Sequence, residues 1–132
     1  MKIIIFFAAM LFSVAGSAAQ DTAVHITGMY SNLYYNEEGG DLLGVELFIF
    51  RSKDGYQVLV QMAEGELPTA SLVPLDVDGP NIRFTLPGGG DSGMTFSGTV
   101  SAKGISGHWG NGQLSSTGTK DEVLKRGKSY WQ

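Results

Sequence analysis

Along most of the chain, apolar and polar residues alternate with a period of two. MTFSGTVS (94–101) sets Met94, Phe96 and Val100 against Thr95, Ser97, Thr99 and Ser101, and YQVLVQM (56–62) sets Tyr56, Val58, Val60 and Met62 against Gln57, Leu59 and Gln61. NIRFTL (81–86) does the same with Ile82, Phe84 and Leu86 against Arg83 and Thr85, as does VPLDV (73–77) with Val73, Leu75 and Val77 against Pro74 and Asp76. Strict alternation marks a strand with one face buried, and no run of about 10–12 residues carries the 3.6-residue period of an amphipathic helix. Between the runs lie SKDG (52–55), DGPN (78–81) and SAKG (101–104), tight turns in which glycine supplies positive φ, and a longer glycine-rich connection, PGGGDSG (87–93).

These signals predict an all-β domain, an antiparallel meander of about eight strands. The strands fall near residues 23–35, 43–52, 55–64, 70–78, 81–86, 93–101, 104–110 and 121–131. A long meander exposes two edges unless it closes, so a small up-and-down barrel is the first expectation and a β-sandwich the alternative. About eight strands enclose an interior that side chains just fill or that holds one small ligand. Phe48, Phe50, Phe84, Phe96 and Met94 are expected to point inward and bear on which of these holds. A barrel that stayed open would leave edges through which a second copy could pair.

The first residues follow a different pattern. Lys2 precedes the apolar run IIIFFAAMLF (3–12), and SVAGSAAQ (13–20) places Ser17 and Ala19 at the −3 and −1 positions of a signal-peptidase site. Residues 1–19 therefore read as a secretory signal peptide and 20–132 as a single domain. The apolar run is too short for a membrane-spanning helix, which needs roughly 20 residues. The expected location is the periplasm or the exterior of a bacterial cell.

Charge and cysteine content narrow the function classes. The chain carries a formal net charge of −4, one unit more negative once Lys2 leaves with the leader, which argues against nucleic acid as a partner. With no cysteine there is no disulfide frame, thiolate metal site or cysteine nucleophile, so the fold must rest on its apolar core.

Candidate chemistry is sparse. GISGH (104–108) lacks the last glycine of a nucleophile elbow and sits in a hairpin, so His108 is read as an outward residue beside Ser106. DVDG (76–79) lacks the ligand spacing of a calcium loop, and two histidines without cysteine do not make a structural zinc site; no metal and no cofactor are expected. In NEEGGD (36–41), Glu37, Glu38 and Asp41 form an acidic turn after Tyr34 and Tyr35, which reads as a solvated hairpin tip able to serve as an interaction loop. Lys120, Lys125, Arg126 and Lys128 make the C-terminal strand basic, and pairing of this strand with the acidic turn is expected when first and last strands meet. Strands of six to nine residues ending in SYWQ fall short of the ~9–11 residues that cross a membrane as a β-barrel.

The two ends of the chain resemble the calycin group of barrels, which includes lipocalins, fatty-acid-binding proteins and avidins. Their first strand carries Gly-x-Trp, and in lipocalins a basic residue of the last strand packs over that ring. Here TGMYSN provides Gly28 and Tyr30, with tyrosine in place of tryptophan, and VLKRGKSYWQ provides Arg126. The resemblance implies barrel closure through Gly28, Tyr30 and Arg126. It does not extend to biotin binding, since only Trp109 and Trp131 are present. YSNLYYNEEGGDLLGVE and LKRGKSYWQ are also similar to segments of a set of short exported bacterial proteins, which implies export and carries no activity.

These readings converge on a non-catalytic binding protein of the cell envelope, taking a small or apolar ligand at a mouth lined by Tyr30, Tyr34, Tyr35 and Trp109. The alternative is a protein-interaction module, such as a hydrolase inhibitor, acting through the loops at 36–41 and 87–93.

Overall fold

A computed structural model describes residues 23–88, 93–111 and 121–132. The expected signal peptide lies outside the described residues, as do residues 89–92 of the expected interaction loop and Lys120. Among the described residues ten strands follow in chain order: β1 (Gly28–Ser31), β2 (Tyr34–Asn36), β3 (Asp41–Ser52), β4 (Gly55–Glu64), β5 (Thr69–Pro74), β6 (Asp76–Asp78), β7 (Asn81–Leu86), β8 (Met94–Val100), β9 (Gly104–Asn111) and β10 (Asp121–Arg126). Every pairing is antiparallel. Among the described residues there is no helix long and apolar enough to cross a membrane.

The path through the sheet is β5-β4-β3-β1-β10-β9-β8-β7-β6, with β2 also on β3. Its two ends are consecutive in the chain. β5 pairs back to β4, the chain passes through Leu75, and β6 pairs forward to β7, so the sheet is nearly closed into an up-and-down barrel. Leu75 N–H donates to Tyr56 O at 3.0 Å at this bend. The strand expected over 70–78 is thus two half-strands that turn the barrel's corner.

β1 and β2 are likewise one strand interrupted at Asn32–Leu33. Pairing with β3 runs in a single register from Gly28 opposite Ile49 to Asn36 opposite Asp41. The expected strand at 23–35 starts later than its apolar pattern implies, because residues 23–27 leave the ladder and Ile26 is buried in the core. The last strand ends at Arg126 rather than continuing to 131. The tail instead crosses the outer face of the barrel, where Ser129 Oγ and Tyr130 N–H donate to the Glu46 carboxylate at 2.6 and 2.7 Å and Trp131 Nε1 donates to Gln61 Oε1 at 2.9 Å.

The interior is one continuous cluster built from the inward parity of each strand. Tyr30, Leu47, Ile49, Val58, Val60, Phe96, Val100, Ile105 and Leu124 are its fully buried members. Phe84 stacks on Phe96 with ring centroids 5.3 Å apart, and Trp109 meets the two rings edge-on at 5.6 and 5.0 Å. Burying each large apolar side chain stabilises the fold by roughly 1.5–3 kcal/mol, the main force available to a chain without disulfides.

Phe48 and Phe50 correct the expected inward set. They stack on each other at 5.4 Å on the outer face, and Phe48 is 41% exposed. VELFIF is apolar at both parities, so alternation alone does not decide which set turns in. The decision comes from partners: Leu47 lies between Tyr30 and Val60 and Ile49 opposite Val58, all inward residues of neighbouring strands.

Candidate functional site

The barrel's two ends differ in chemistry because its connections differ in length. The turns at 52–55, 78–81 and 100–104 lie at one end, and the connections at 36–41 and 64–69 lie at the other, where β7 and β9 also end.

The short-turn end is plugged. Residues 23–27 pass across it, and Tyr30 Oη donates to Ile26 O at 2.7 Å. The Arg126 guanidinium carbon sits 4.7 Å from the Tyr30 ring centroid, a cation–π contact between first and last strands. Its Nη1 donates to Thr27 O at 3.2 Å and its Nη2 to His25 O, so the fork also caps the N-terminal segment. A Cβ at Gly28 would come within 3.3 Å of Nη1, which is why Arg126 can lie so close to the strand. Burial pushes the Tyr30 hydroxyl above its usual pKa of 10.0, and the nearby Arg126 charge opposes this more weakly.

The long-connection end opens into a cup of about 160 Å³. Its walls include Val45, Met62, Glu64, Met94, Trp109 and Glu122. A more open cleft over Glu66, Leu67 and Thr69 adjoins it and shares Met62 and Glu64. The cup has a fixed polar corner. Asn32 Oδ1 accepts the Val45 N–H at 2.7 Å, and Asn32 Nδ2 donates to Glu122 Oε2 at 2.7 Å, so one amide ties the interrupted first strand to β3 and to β10. Glu122 is only 6% exposed. Gly44 allows the arrangement: it has φ +109°, and a Cβ there would lie 2.5 Å from Asn32 O.

Of the aromatic residues expected at the mouth, Trp109 lines the cup. Tyr30 is placed elsewhere, fully buried beneath the plug at the other end. Tyr34 and Tyr35 stand outside, 54% and 55% exposed, on β2, which among the described residues pairs with β3 alone. Glu37 and Glu38 are exposed at the hairpin tip between β2 and β3, where Gly40 N–H donates to Asn36 O at 2.8 Å, and Asp41 begins β3. The expected pairing of this turn with the basic last strand does not occur for the described cations. Lys125 lies opposite Ser31, about 20 Å of strand away from Glu37 at roughly 3.3 Å per residue, and Arg126 caps the opposite end.

His108 faces outward with Ser106, both exposed. It stands in register between Ser97 and Asp121 on the outer wall, but among the described residues none of these three side chains hydrogen-bonds another. Among the described residues no group of three or more His, Asp or Glu is placed to hold a metal ion.

Sequence reasoning missed Asn32 and Glu122. The available signal was parity: Asn32 shares the inward register of Tyr30, and Glu122 that of Leu124. No protein-family model matches the chain, and neither characterised proteins nor solved structures provide a match. Fold and site together define a small up-and-down barrel that is plugged at one end and cupped at the other.

Proposed function

We propose that this chain is an exported β-barrel protein of the bacterial cell envelope, periplasmic or secreted, that binds a small and largely apolar ligand without turning it over. The observation that carries this reading is the cup of about 160 Å³ at the long-connection end, walled by Val45, Met62, Met94 and Trp109, residues that belong to or pack against the apolar core. Drug-sized ligands occupy roughly 300–1,000 Å³, so the ligand is a small one. The leader pattern at residues 1–19 supports export, and the calycin-like contact of Arg126 with Tyr30 supports kinship of design with ligand-carrying barrels.

Native mass spectrometry of protein purified from the producing cell's envelope tests the reading. A co-purifying small molecule lost on Trp109→Ala, together with a mature N-terminus at Gln20, is the expected result. Recovery of empty protein whose Trp109 emission ignores apolar probes would set the ligand reading aside.

Protein docking is the second reading, favoured by one feature of the outer wall. Met29, Phe48, Leu59 and Leu72 stand directly opposite one another across β1, β3, β4 and β5, and Leu72 is 61% exposed. Such an outward apolar row on a sheet marks a surface for a partner. A co-purifying protein lost on Leu72→Ser, with the cup unaffected, would favour this reading over the first.

A further inference from the structure

The outer wall of the barrel has two characters. Across β7, β8 and β9 its outward residues are polar, among them Arg83, Thr85, Ser97, Thr99, Ser106 and His108. Across β1, β3, β4 and β5 they are largely apolar. The central row is Met29, Phe48, Leu59 and Leu72, each opposite the next. Phe50, Gln57 and Pro74 form the row on one side of it, and Ser31, Glu46, Gln61 and Ala70 the row on the other. Glu46 is the charged member of these three rows, and the C-terminal tail covers it: Ser129 takes one carboxylate oxygen and Tyr130 N–H the other. Lys125, opposite Ser31 on β10, begins the polar rim.

The tail gives this face its relief. Ser129 to Trp131 cross β3 and β4 along the Glu46–Gln61 row, where Trp131 Nε1 donates to Gln61 Oε1 at 2.9 Å. The central apolar row lies two residues further along each strand, about 7 Å away. Between ridge and row runs a groove of about 160 Å³, lined by Met29, Phe48 and Leu59 on one side and by Ser129 and Trp131 on the other. The Tyr130 and Trp131 rings meet edge-on at 5.1 Å and stay 39% and 50% exposed on the ridge.

A ridge beside a parallel groove is complementary to itself. Turned about a two-fold axis normal to the wall, the ridge of each copy enters the groove of the other, which is the isologous contact of a symmetric dimer. Charge is scarce over the three rows, and exposed tryptophan and tyrosine stand at their centre, the composition of an interface core. A lipid surface would meet the apolar row but has no ridge to fill the groove.

We propose that this face docks a second copy of the chain, with Trp131 of each copy seated on Leu59 and Leu72 of the other. The inference rests on the reading of the outer row as a docking surface and adds the partner.

Sedimentation equilibrium of the full mature chain tests it without any variant. A monomer–dimer equilibrium with Kd of about 1–100 μM is expected for a contact of this kind. Leu72→Lys, at a position 61% exposed, sets a charge on both sides of the contact and should raise Kd about tenfold or more. Trp131→Ala, beyond the last strand, should do the same, and Ser97→Lys on the polar wall should leave Kd unchanged. A chain monomeric up to about 1 mM would overturn the inference. The docking reading would then stand if a different protein co-purifies and is lost on Leu72→Ser, and would fall with the inference if none does. Flotation of the monomer with phosphatidylcholine vesicles would replace the second copy by a lipid surface. A dimer indifferent to both Leu72→Lys and Trp131→Ala would place the contact elsewhere and overturn the inference as well.

Discussion

Tyr30 shows how much one inward polar residue can organise. Its ring fills the core, its hydroxyl caps Ile26 O, and its outer face receives Arg126. Tyr30→Phe keeps the ring and strips the donor from a buried carbonyl, which should cost about 1–2 kcal/mol in denaturant titrations at neutral pH. The hydroxyl also makes stability pH-dependent. Burial raises its pKa in the folded state above the usual 10.0, so the native state holds that proton more tightly than the unfolded chain does. The contribution is complete below about pH 10 and is lost as pH rises through the folded value. Denaturation midpoints should therefore fall more steeply above pH 10 in the parent protein than in Tyr30→Phe. Equal slopes would show that Tyr30 does not titrate with unfolding.

At the scale of elements, the interrupted first strand and the C-terminal tail are the informative parts. Gly44→Ala places a Cβ against Asn32 O at a positive φ, and should cost about 2 kcal/mol or more while loosening the Asn32–Glu122 corner. A thermal melt measures the first effect and loss of Trp109 response to ligand the second. The tail hangs on Glu46, a buried carboxylate that accepts from both Ser129 and Tyr130. Glu46→Ala is expected to free residues 128–132, seen as a red shift of Trp131 emission in a Trp109→Phe background and as faster proteolysis of the tail. An unchanged tail would mean that the Trp131–Gln61 contact alone suffices.

The strands themselves were legible, since a period of two and glycine-bearing turns locate eight of them to within a few residues. Their interruptions were not. The stop at Asn32 depends on a hydrogen bond to Val45 thirteen positions away, and the bend at Leu75 on which strand lies beside each half. The last strand was overextended because SYWQ reads as apolar continuation, whereas Glu46, far off in sequence, draws those residues onto the outer wall.

At the scale of the molecule, closure decides which side of each strand is core. Phe96→Ala should cost about 3–5 kcal/mol, as loss of a buried aromatic does, whereas Phe48→Ala on the outer wall should cost under about 1 kcal/mol. Similar losses at the two sites would contradict the parity of β3. Gly98 and Gly107 show the same dependence on closure. Cβ atoms there would come within 2.8 and 2.5 Å of the Phe96 ring, so these glycines make room for Phe96.

By itself, the sequence determined the all-β class, the strand order of a meander, the turns and the absence of cysteine chemistry. Each of these follows from residues a few positions apart, where alternation and turn geometry act. Tertiary structure alone decided which apolar face of VELFIF turns inward, that Tyr34 and Tyr35 stand outside, and that Trp109 and Glu122 line one cup while Asn32 bonds Glu122. Those outcomes depend on side chains brought together across the barrel, and no local pattern encodes the pairing of β1 with β10 that joins them.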